Sequence, residues 1–504
     1  MTTSPFSRLV AVAGAALLLC LPALWNGLPF FYPDTPTYLR GAEMVTGQVA
    51  KRLWPAVEAE PSATQNAARG LTSLQDKIVL AGRSVYYGGL LHAAQGAGSL
   101  WLGVIAQALC VAAVLHLMMV GLWRMQHAAF MGTMAALSLT TPLAVYSGLL
   151  MPDVFAGLTL LALATLVVYW RQLSGVARGL LLGVLLFGLM AHASHAAVAA
   201  VLLLGALALR LWNPRWQGVS APALTGVAVC LVLAIAAEWA FAAGVQRAVG
   251  APPLRLPYPT ARLIEMGPGT RFLQARCPDA GYAVCPYVAN YPTAWDAFLF
   301  SDDPARGSFA LADADTKRRI VAQQGDFVRA VIAYDPVGVL TGWVTDLGRQ
   351  LLSFRVDVWS FGDRQLAMYA GRVPPQTLQA MQASKGLNAP AYNQVLSALT
   401  YASTLAAVVL GVWWAWRRRA GAPAQVPQRL EQVATLVLAG VAANALVCVT
   451  AASSLDRFQS RVIWLLPFLA LTVLAWFASR SRVAETAGLE SRGPAAHRLE
   501  GAAS

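Results

Sequence analysis

Long runs without Asp, Glu, Lys or Arg dominate the chain and predict its secondary structure. An α-helix needs about 20 apolar residues to cross a bilayer, and nine runs come close to or exceed that length: 9–33, 84–123, 125–152, 154–170, 179–209, 216–237, 386–416, 432–455 and 462–479. The run 179–209 is about half again as long as one span and has His192 and His195 near its middle. We expect it to form two short helices, which gives an all-α polytopic membrane protein with about ten transmembrane helices.

Arginines at the ends of these runs predict the orientation of the spans. Positive charge in short loops marks the cytoplasmic side of a membrane protein. With the N-terminus inside, every short basic connection falls on one side, namely those with Arg8, Arg124, Arg171, Arg178, Arg210, Arg215, Arg417, Arg418, Arg419, Arg429, Arg480 and Arg482. We therefore expect a multi-pass protein of the plasma (inner) membrane with both termini cytoplasmic, and with residues 34–98 and 247–385 outside.

The composition agrees with this interpretation and excludes two other classes. Of the 504 residues, 57% are hydrophobic and only 12% are charged, whereas soluble domains carry about 25% charged residues. The net charge of +13 does not indicate a nucleic-acid partner, because the arginines follow apolar runs and form no basic face with interleaved aromatic residues. The lipid bilayer is the partner that the composition predicts.

The predicted spans divide the chain into four parts. Residues 1–246 form an N-terminal transmembrane module that includes the outer loop 34–98, and residues 247–385 form an extracytoplasmic cap. Residues 386–482 form a C-terminal transmembrane module, and residues 483–504 form a disordered cytoplasmic tail, because they are polar and rich in Ala and Gly.

Two features of the cap can be predicted in more detail. Cys277 and Cys285 share a polar segment without histidine, so a disulfide is favoured over a metal site if the segment faces an oxidising compartment. Asp335 and Pro336 are typical of a helix start. An apolar stripe follows at spacings of three and four, which predicts an amphipathic helix that lies on the membrane or on the bundle: Val337, Leu340, Val344, Leu347, Leu351, Phe354 and Val358.

Charged and polar residues collect where the predicted spans meet the outer surface. They are Asp34, Asp153, His192, His195, Glu238, Asp456, Arg457 and Arg461. Ionisable residues at membrane depth are costly and are therefore functional candidates. Each of them also has a plainer interpretation, because a charge at the end of a span lies at the interface and costs little. In addition, Asp34 could cap a short helix, Glu238 could pair with Arg247, and the histidines could be a polar pair at a helix end rather than metal ligands.

Several of these residues carry a family resemblance. Asp34 follows the first span, with Tyr38 and Ala42 at four-residue spacing on one helix face, and Asp153 begins the fourth span. Late in the chain come Ser454-Leu455-Asp456-Arg457-Phe458, Arg461 and Pro467. This pattern resembles the GT-C-type integral membrane glycosyltransferases, the class of the protein mannosyltransferases and aminoarabinose transferases. The two short helices predicted for 179–209 also suit that architecture.

The resemblance implies an activity and a set of roles. A sugar would pass from a polyprenyl-phosphate donor to an acceptor glycan, lipid or protein on the outer face of the membrane. Asp34 would be the general base, Arg457 with Arg461 would hold the donor phosphate, and Asp153 would orient the acceptor or help bind a metal. A divalent metal is compatible with the sequence but not required by it. The other candidate substrate-binding residues are Tyr38, Arg83, His192 and His195.

Two other classes of function remain open. A transporter or lipid flippase would bury charges in the middle of its spans, whereas here the charges collect at span ends. In a non-catalytic envelope assembly protein, Asp34 and Arg457 would be dispensable.

Overall fold

The computed structural model describes residues 4–39, 41, 76–420 and 426–490, without the side chains of residues 418 and 479–490. Ala42, most of the predicted outer loop and the end of the predicted tail lie outside the described residues. A short helix begins at Thr35. The other helices are α1 (Pro5–Asn26), α2 (Val85–Gly96), α3 (Trp101–His116), α4 (His127–Thr140), α5 (Leu143–Gly148), α6 (Val154–Tyr169), α7 (Gly175–Ala191), α8 (Ala193–Trp212), α9 (Ala221–Val249), α10 (Tyr258–Met266), α11 (Pro268–Arg276), α12 (Trp295–Phe300), α13 (Ala314–Tyr334), α14 (Pro336–Leu352), α15 (Asp363–Tyr369), α16 (Pro375–Gln382), α17 (Pro390–Arg419), α18 (Gln428–Ala451), α19 (Asp456–Ile463) and α20 (Leu465–Glu490).

Seven of the described helical segments are long and apolar enough to cross a membrane. They are Pro5–Asn26, Trp101–Leu122, Ala193–Trp212, Ala221–Val249, Pro390–Arg417, Gln428–Ala451 and Asp456–Ala478. The number is eight if α13 and α14, which meet at a bend of 103°, count as one span. The chain is therefore an all-helical, polytopic membrane protein in the part that the structure describes.

The count of ten spans is not confirmed, because three predicted spans form shorter helices. Residues 125–152 divide into α4 and α5, while α6 has 16 residues and α7 has 17. At about 1.5 Å per residue, none of α4, α6 and α7 reaches the ~30 Å thickness of the hydrocarbon core. The number of crossings stays a prediction.

The predicted division of residues 179–209 is confirmed. His192 has extended backbone angles, φ −157° and ψ 131°, and separates α7 from α8. Its side chain accepts a hydrogen bond from the backbone N–H of Ser194 and so caps α8. A second break, between α2 and α3 within run 84–123, was not predicted. There the chain turns through Gly98, whose φ of +100° favours glycine.

Helix α6 lies at the centre of the bundle and is buried along almost its whole length. It contacts α3, α7, α8, α9, α18 and α19. Gly157 permits a close approach, because a Cβ atom there would lie 2.6 Å from the indole ring of Trp464. An apolar helix without a polar face is typical of such a fully enclosed position.

The predicted cap region contributes to two hydrophobic cores. Residues between Leu256 and Val339 form a core of their own, within which Cys277 and Cys285 lie at disulfide distance as predicted. Val356 and Met381, further along, belong instead to the main core of the bundle. The boundaries of the four predicted parts stay predictions.

Helix α14 confirms most of the predicted amphipathic helix. Pro336 begins it, and Asp335 accepts a hydrogen bond from the backbone N–H of Gly338. The helix ends at Leu352, so the inclusion of Phe354 and Val358 in its stripe was wrong. Polar groups of α17 hold the chain in an extended form there: the hydroxyl of Tyr401 accepts from the Phe354 N–H, and that of Ser397 accepts from the Val356 N–H.

The apolar stripe of α14 points away from the protein. Val337, Leu340 and Val344 are 73%, 61% and 61% exposed, whereas Asp346 and Gln350 on the other face are buried. Asp346 forms a buried ion pair with Arg262 of α10, and the Gln350 side chain exchanges two hydrogen bonds with the backbone of Leu455. The polar face of α14 therefore attaches it to the protein, and its apolar face stays exposed, as expected of an amphipathic helix that lies on a membrane.

Candidate functional site

Two connections pair with each other and bring the two predicted acids together. The chain after α1 bonds to the chain before α6: the Phe30 N–H donates to the Gly148 carbonyl, and the Leu150 N–H donates to the Phe30 carbonyl, both at 2.9 Å. The Thr35 hydroxyl adds a bond to the Leu150 carbonyl at 3.1 Å. Asp34 and Asp153 each lie within four residues of these bonds, so both carboxylates enter the same region.

Asp34 lies between two arginines from distant parts of the chain. Its Oδ1 is 2.6 Å from Nη2 of Arg83, and its Oδ2 is 3.7 Å from Nη1 of Arg457. The backbone carbonyl of Asp34 accepts from Thr37 and Tyr38 at the start of the short helix. Asp34 thus stands at a helix start, as in the plainer interpretation, while its carboxylate is engaged with the two guanidinium groups.

Asp153 is enclosed on the other side of the same arginine. Its Oδ1 is 3.5 Å from Nε of Arg457 and 3.8 Å from Nη1 of Arg461. Asp153 is 2% exposed and Arg461 is 1% exposed. Asp153 Oδ1 and the Nε and Nη1 atoms of Arg457 are buried without a hydrogen-bond partner within the described chain. A buried polar group without a hydrogen bond costs free energy, and here the ion pairs among these charges offset part of that cost.

Two neighbouring helices fix the position of Arg461. Its Nη2 lies 3.0 Å from the Ser194 hydroxyl of α8 and 3.0 Å from Oδ1 of Asn444 in α18. Ser194 in turn lies between the two predicted histidines. His195 is buried with its Nδ1 2.8 Å from the Gly188 carbonyl, and His192 caps α8. The histidines form a polar pair at a helix end, as the plainer interpretation expected, and they flank the arginine cluster.

Arg83 and Tyr38 are held from the side of α2. Arg83 precedes Ser84, whose hydroxyl caps α2 and donates to the Met190 carbonyl at the end of α7. Burial lowers the pKa of Arg83 and the Asp34 carboxylate raises it, with a raised pKa as the net result. Tyr38 is 1% exposed and packs edge-to-face on Tyr87 at 5.2 Å. Tyr38 therefore supports the site from the protein core.

Aromatic rings and one further carboxylate complete the site. The guanidinium of Arg457 lies 4.1 Å from the ring centroid of Tyr32, a favourable cation–π distance. Asp357, between α14 and α15, lies near enough to interact electrostatically with Arg457 and Tyr32. Solvent reaches Asp357, yet protein surrounds it on most sides, and this partial burial raises its pKa against the lowering effect of Arg457.

Sequence reasoning missed Asp357, because it lies within the predicted cap and far from the end of any apolar run. The only signal for it is the alternation of Val356, Asp357 and Val358, which is typical of an extended segment with one buried face. Val356 and Val358 are indeed buried, and Asp357 points the other way.

Two of the predicted outer charges are not part of this cluster. Glu238 forms an ion pair with Arg255, at 3.3 Å, and not with Arg247 as expected. Helix α9 continues unbroken to Val249, so Arg247 lies nine residues, about 13 Å, further along the same helix. Asp456 is paired with Arg355, at 3.2 Å, and turns away from Arg457.

Among the described residues, no three side chains of His, Cys, Asp or Glu lie close enough together to bind a metal ion. His192 and His195 have ring centroids 5.3 Å apart but lie beside arginines rather than carboxylates. The site presents guanidinium groups and carboxylates, which suit an anionic ligand and proton transfer.

The fold and the site together define the class: a helical, multi-pass membrane protein with a cluster of paired acids and arginines at one end of its bundle. Comparison with protein-family models, with curated proteins and with solved structures finds no match to the chain. The functional argument therefore rests on the geometry of the site.

Proposed function

We propose that the protein is a membrane glycosyltransferase that moves a sugar from a polyprenyl-phosphate donor to an acceptor on the outer face of the plasma membrane. One observation carries the proposal. The guanidinium groups of Arg83, Arg457 and Arg461 lie directly against the carboxylates of Asp34 and Asp153. Guanidinium groups, which bind phosphate through paired hydrogen bonds, are therefore adjacent to a carboxylate, which suits phosphate binding beside a general base.

The reaction uses these groups in defined roles. The acceptor hydroxyl attacks the anomeric carbon of the donor sugar, and its proton passes to the Asp34 carboxylate. The bond between the anomeric carbon and the phosphate oxygen breaks, and polyprenyl phosphate leaves with the electron pair. Arg457 and Arg83 stabilise the charge that develops on this leaving group.

The ion pairs of Asp34 describe the site before the donor binds. When the donor phosphate enters, Arg83 and Arg457 exchange the carboxylate for phosphate oxygens, and Asp34 becomes available to accept a proton. Asp153, which is buried between Arg457 and Arg461, keeps both arginines in place. This exchange couples donor binding to activation of the base.

The experiment is transfer from radiolabelled polyprenyl-phosphate hexoses and pentoses in native membranes and in membranes that contain Asp34→Asn. The amide keeps the shape of the side chain and its hydrogen bonding but cannot accept the proton, so turnover should fall about 10²–10⁴-fold. Asp326→Asn is the matched control, because Asp326 is an exposed acid paired with Arg329. Full activity of Asp34→Asn would exclude Asp34 as the base.

A transporter or lipid flippase is the second candidate, and the burial of Asp153 and Arg461 favours it. Both residues are at most 2% exposed, and Arg461 belongs to the candidate span Asp456–Ala478. Buried charge within spans is typical of transport pathways. If the native protein consumes no lipid-linked sugar, movement of a polyprenyl-phosphate lipid between the leaflets of proteoliposomes becomes the decisive assay.

A further inference from the structure

A second charged region lies at the opposite end of the bundle from Asp34. Helix α6 begins next to Asp153 and ends at Tyr169, about 24 Å away at 1.5 Å per residue. At that end a cavity of about 680 Å³ opens between the end of the segment Trp101–Leu122 and the connection before α9. Residues from α18 and α20, Gln432 and Trp476 among them, close its other sides.

Four arginines line this cavity, three from connections between helices and one from the first turn of α18: Arg124, Arg171, Arg215 and Arg429. Its described lining contains no Asp or Glu. Arg429 lies 5.9 Å from the ring centroid of Tyr169, and no carboxylate of the described chain lies within ion-pair distance of any of the four. Arginine forks suit phosphate, so the cavity has the charge of an anion site without a counter-ion among the described side chains.

The remaining lining contains both polar and apolar groups, which suits a molecule that is partly polar and partly apolar. The side-chain amides of Gln428 and Gln432 both donate to the Arg215 carbonyl, at 2.9 and 2.7 Å, and fix that connection. The Ser220 hydroxyl is buried in the lining without a hydrogen-bond partner in the described chain. Val167 and Val168 supply apolar wall on the same side.

The tendency of arginines to lie in cytoplasmic loops does not account for this arrangement. That tendency requires positive charge in short connections, but not that four arginines from separate parts of the chain converge on one cavity with an unpaired buried hydroxyl. Aromatic side chains of Trp123, Tyr169 and Trp476 also line it, and such rings are typical of the depth at which lipid headgroups lie.

We infer that this cavity binds the phosphate headgroup of an anionic membrane lipid, with the acyl chains leaving along the apolar wall between the helices. Basic pockets between transmembrane helices are suited to such headgroups. A lipid is favoured over free phosphate, because valine and tryptophan side chains share the lining with the arginines. The site is separate from the Asp34 cluster and does not depend on the proposed transfer reaction.

The test is binding of phosphatidylglycerol by the full-length protein in detergent, followed by native mass spectrometry and by the shift in melting temperature. Phosphatidylcholine, which is zwitterionic and has no net charge, serves as the comparison. We expect phosphatidylglycerol to bind at least tenfold more tightly than phosphatidylcholine, and Arg171→Gln/Arg429→Gln to remove this preference. Arg178→Gln/Arg210→Gln loses the same charge outside the lining and should keep the preference.

A second variant tests the cavity itself with the charge unchanged. A Cβ atom on Gly218 would have no heavy atom within 4 Å, so Gly218→Trp should fold and fill the cavity, and lipid binding should fall at least tenfold. Gly205→Trp also enters open space, but on α8 outside the lining, and is its control.

Three results would overturn the inference. The first is an equal loss of binding in both arginine double variants, which would indicate non-specific surface charge. The second is unchanged phosphatidylglycerol binding in Gly218→Trp. The third is a melting-temperature shift that inorganic phosphate or glycerol phosphate reproduces in full, which would assign the cavity to a free anion.

Discussion

Arg457 is the residue on which the candidate site depends most. It contacts Asp34 through Nη1 and Asp153 through Nε, and its guanidinium plane lies over Tyr32. A flat group with several donors can make these contacts together, whereas the ammonium of lysine is a point charge. Arg457 therefore defines the distance between the two acids as well as the charge beside them.

Arg457→Lys tests this role. The variant keeps the positive charge but loses the fork and the stacking on Tyr32, so donor use should weaken, seen as a higher KM for the lipid-linked sugar with the protein still folded. The measurement is the dependence of transfer on donor concentration. Arg329→Lys, at an exposed ion pair, is the control. An unchanged KM and kcat in Arg457→Lys would place the donor phosphate elsewhere.

Asp357 gives a prediction in which activity and stability change in opposite directions. Because the pKa of Asp357 is raised in the folded protein, its ionised form is less favourable there than in the unfolded chain. At neutral pH, Asp357→Asn should therefore unfold at the same or a higher temperature than the native protein. Transfer should be lower, because Arg457 loses a neighbouring carboxylate.

The pH dependence of the melting temperature tests whether the pKa of Asp357 is raised. A raised acid pKa makes the native protein lose stability as pH rises from the unfolded pKa, about 3.9, through the folded pKa. The difference in melting temperature between the variant and the native protein should therefore disappear as pH falls to about 4. A variant that is less stable than the native protein at neutral pH, with a deficit that disappears at low pH, would show that partners stabilise the ionised form of Asp357.

At the scale of single elements, helix starts and breaks were the most predictable features. Asp335 and Pro336 begin α14, and His192 ends one helix and caps the next, because the residue types that do this are local signals. Where a helix ends was harder to predict. The stripe of α14 continues in the sequence to Val358, but hydroxyl groups of α17, 41 and 47 residues further along the chain, hold that segment extended.

The exposed stripe of α14 can be tested by labelling of substituted cysteines in intact membranes. Val344 and Arg349 are both well exposed on the isolated protein, so a difference in labelling reports what covers one of them. Val344→Cys should react far more slowly with a membrane-impermeant maleimide than Arg349→Cys, because the apolar face lies in the bilayer. Equal rates would place both faces in water.

At the scale of the whole molecule, the class of protein followed from the sequence, but the number of crossings did not. An apolar run of 16 residues is compatible with a short span and with a buried helix, and hydropathy does not distinguish them. Helix α6 is surrounded by other helices, and such enclosure is compatible with both. The convergence of Asp34, Asp153 and Arg457 could be expected only from a family resemblance, since their contacts join residues more than a hundred positions apart.

The orientation of the whole bundle in the membrane can be tested with reporter fusions. Reporter fusions after Ala280 and after Ala424 should read opposite compartments, with Ala280 outside and Ala424 in the cytoplasm, because the short basic connections share one side. Alkaline phosphatase and a fluorescent protein provide complementary reporters. If both positions read the same side, the assignment of the Asp34 site to the outer face fails with it.

The enclosure of α6 also has a consequence for how the protein is made. Its neighbour Trp464, which packs on Gly157, lies about 300 residues later in the chain, and a ribosome adds roughly 5–20 residues per second. For tens of seconds after its synthesis, α6 lacks one of its final walls and must be sheltered by lipid or by the insertion machinery. Completion of the central packing therefore waits for the last membrane segment, and a chain truncated before α19 cannot complete it.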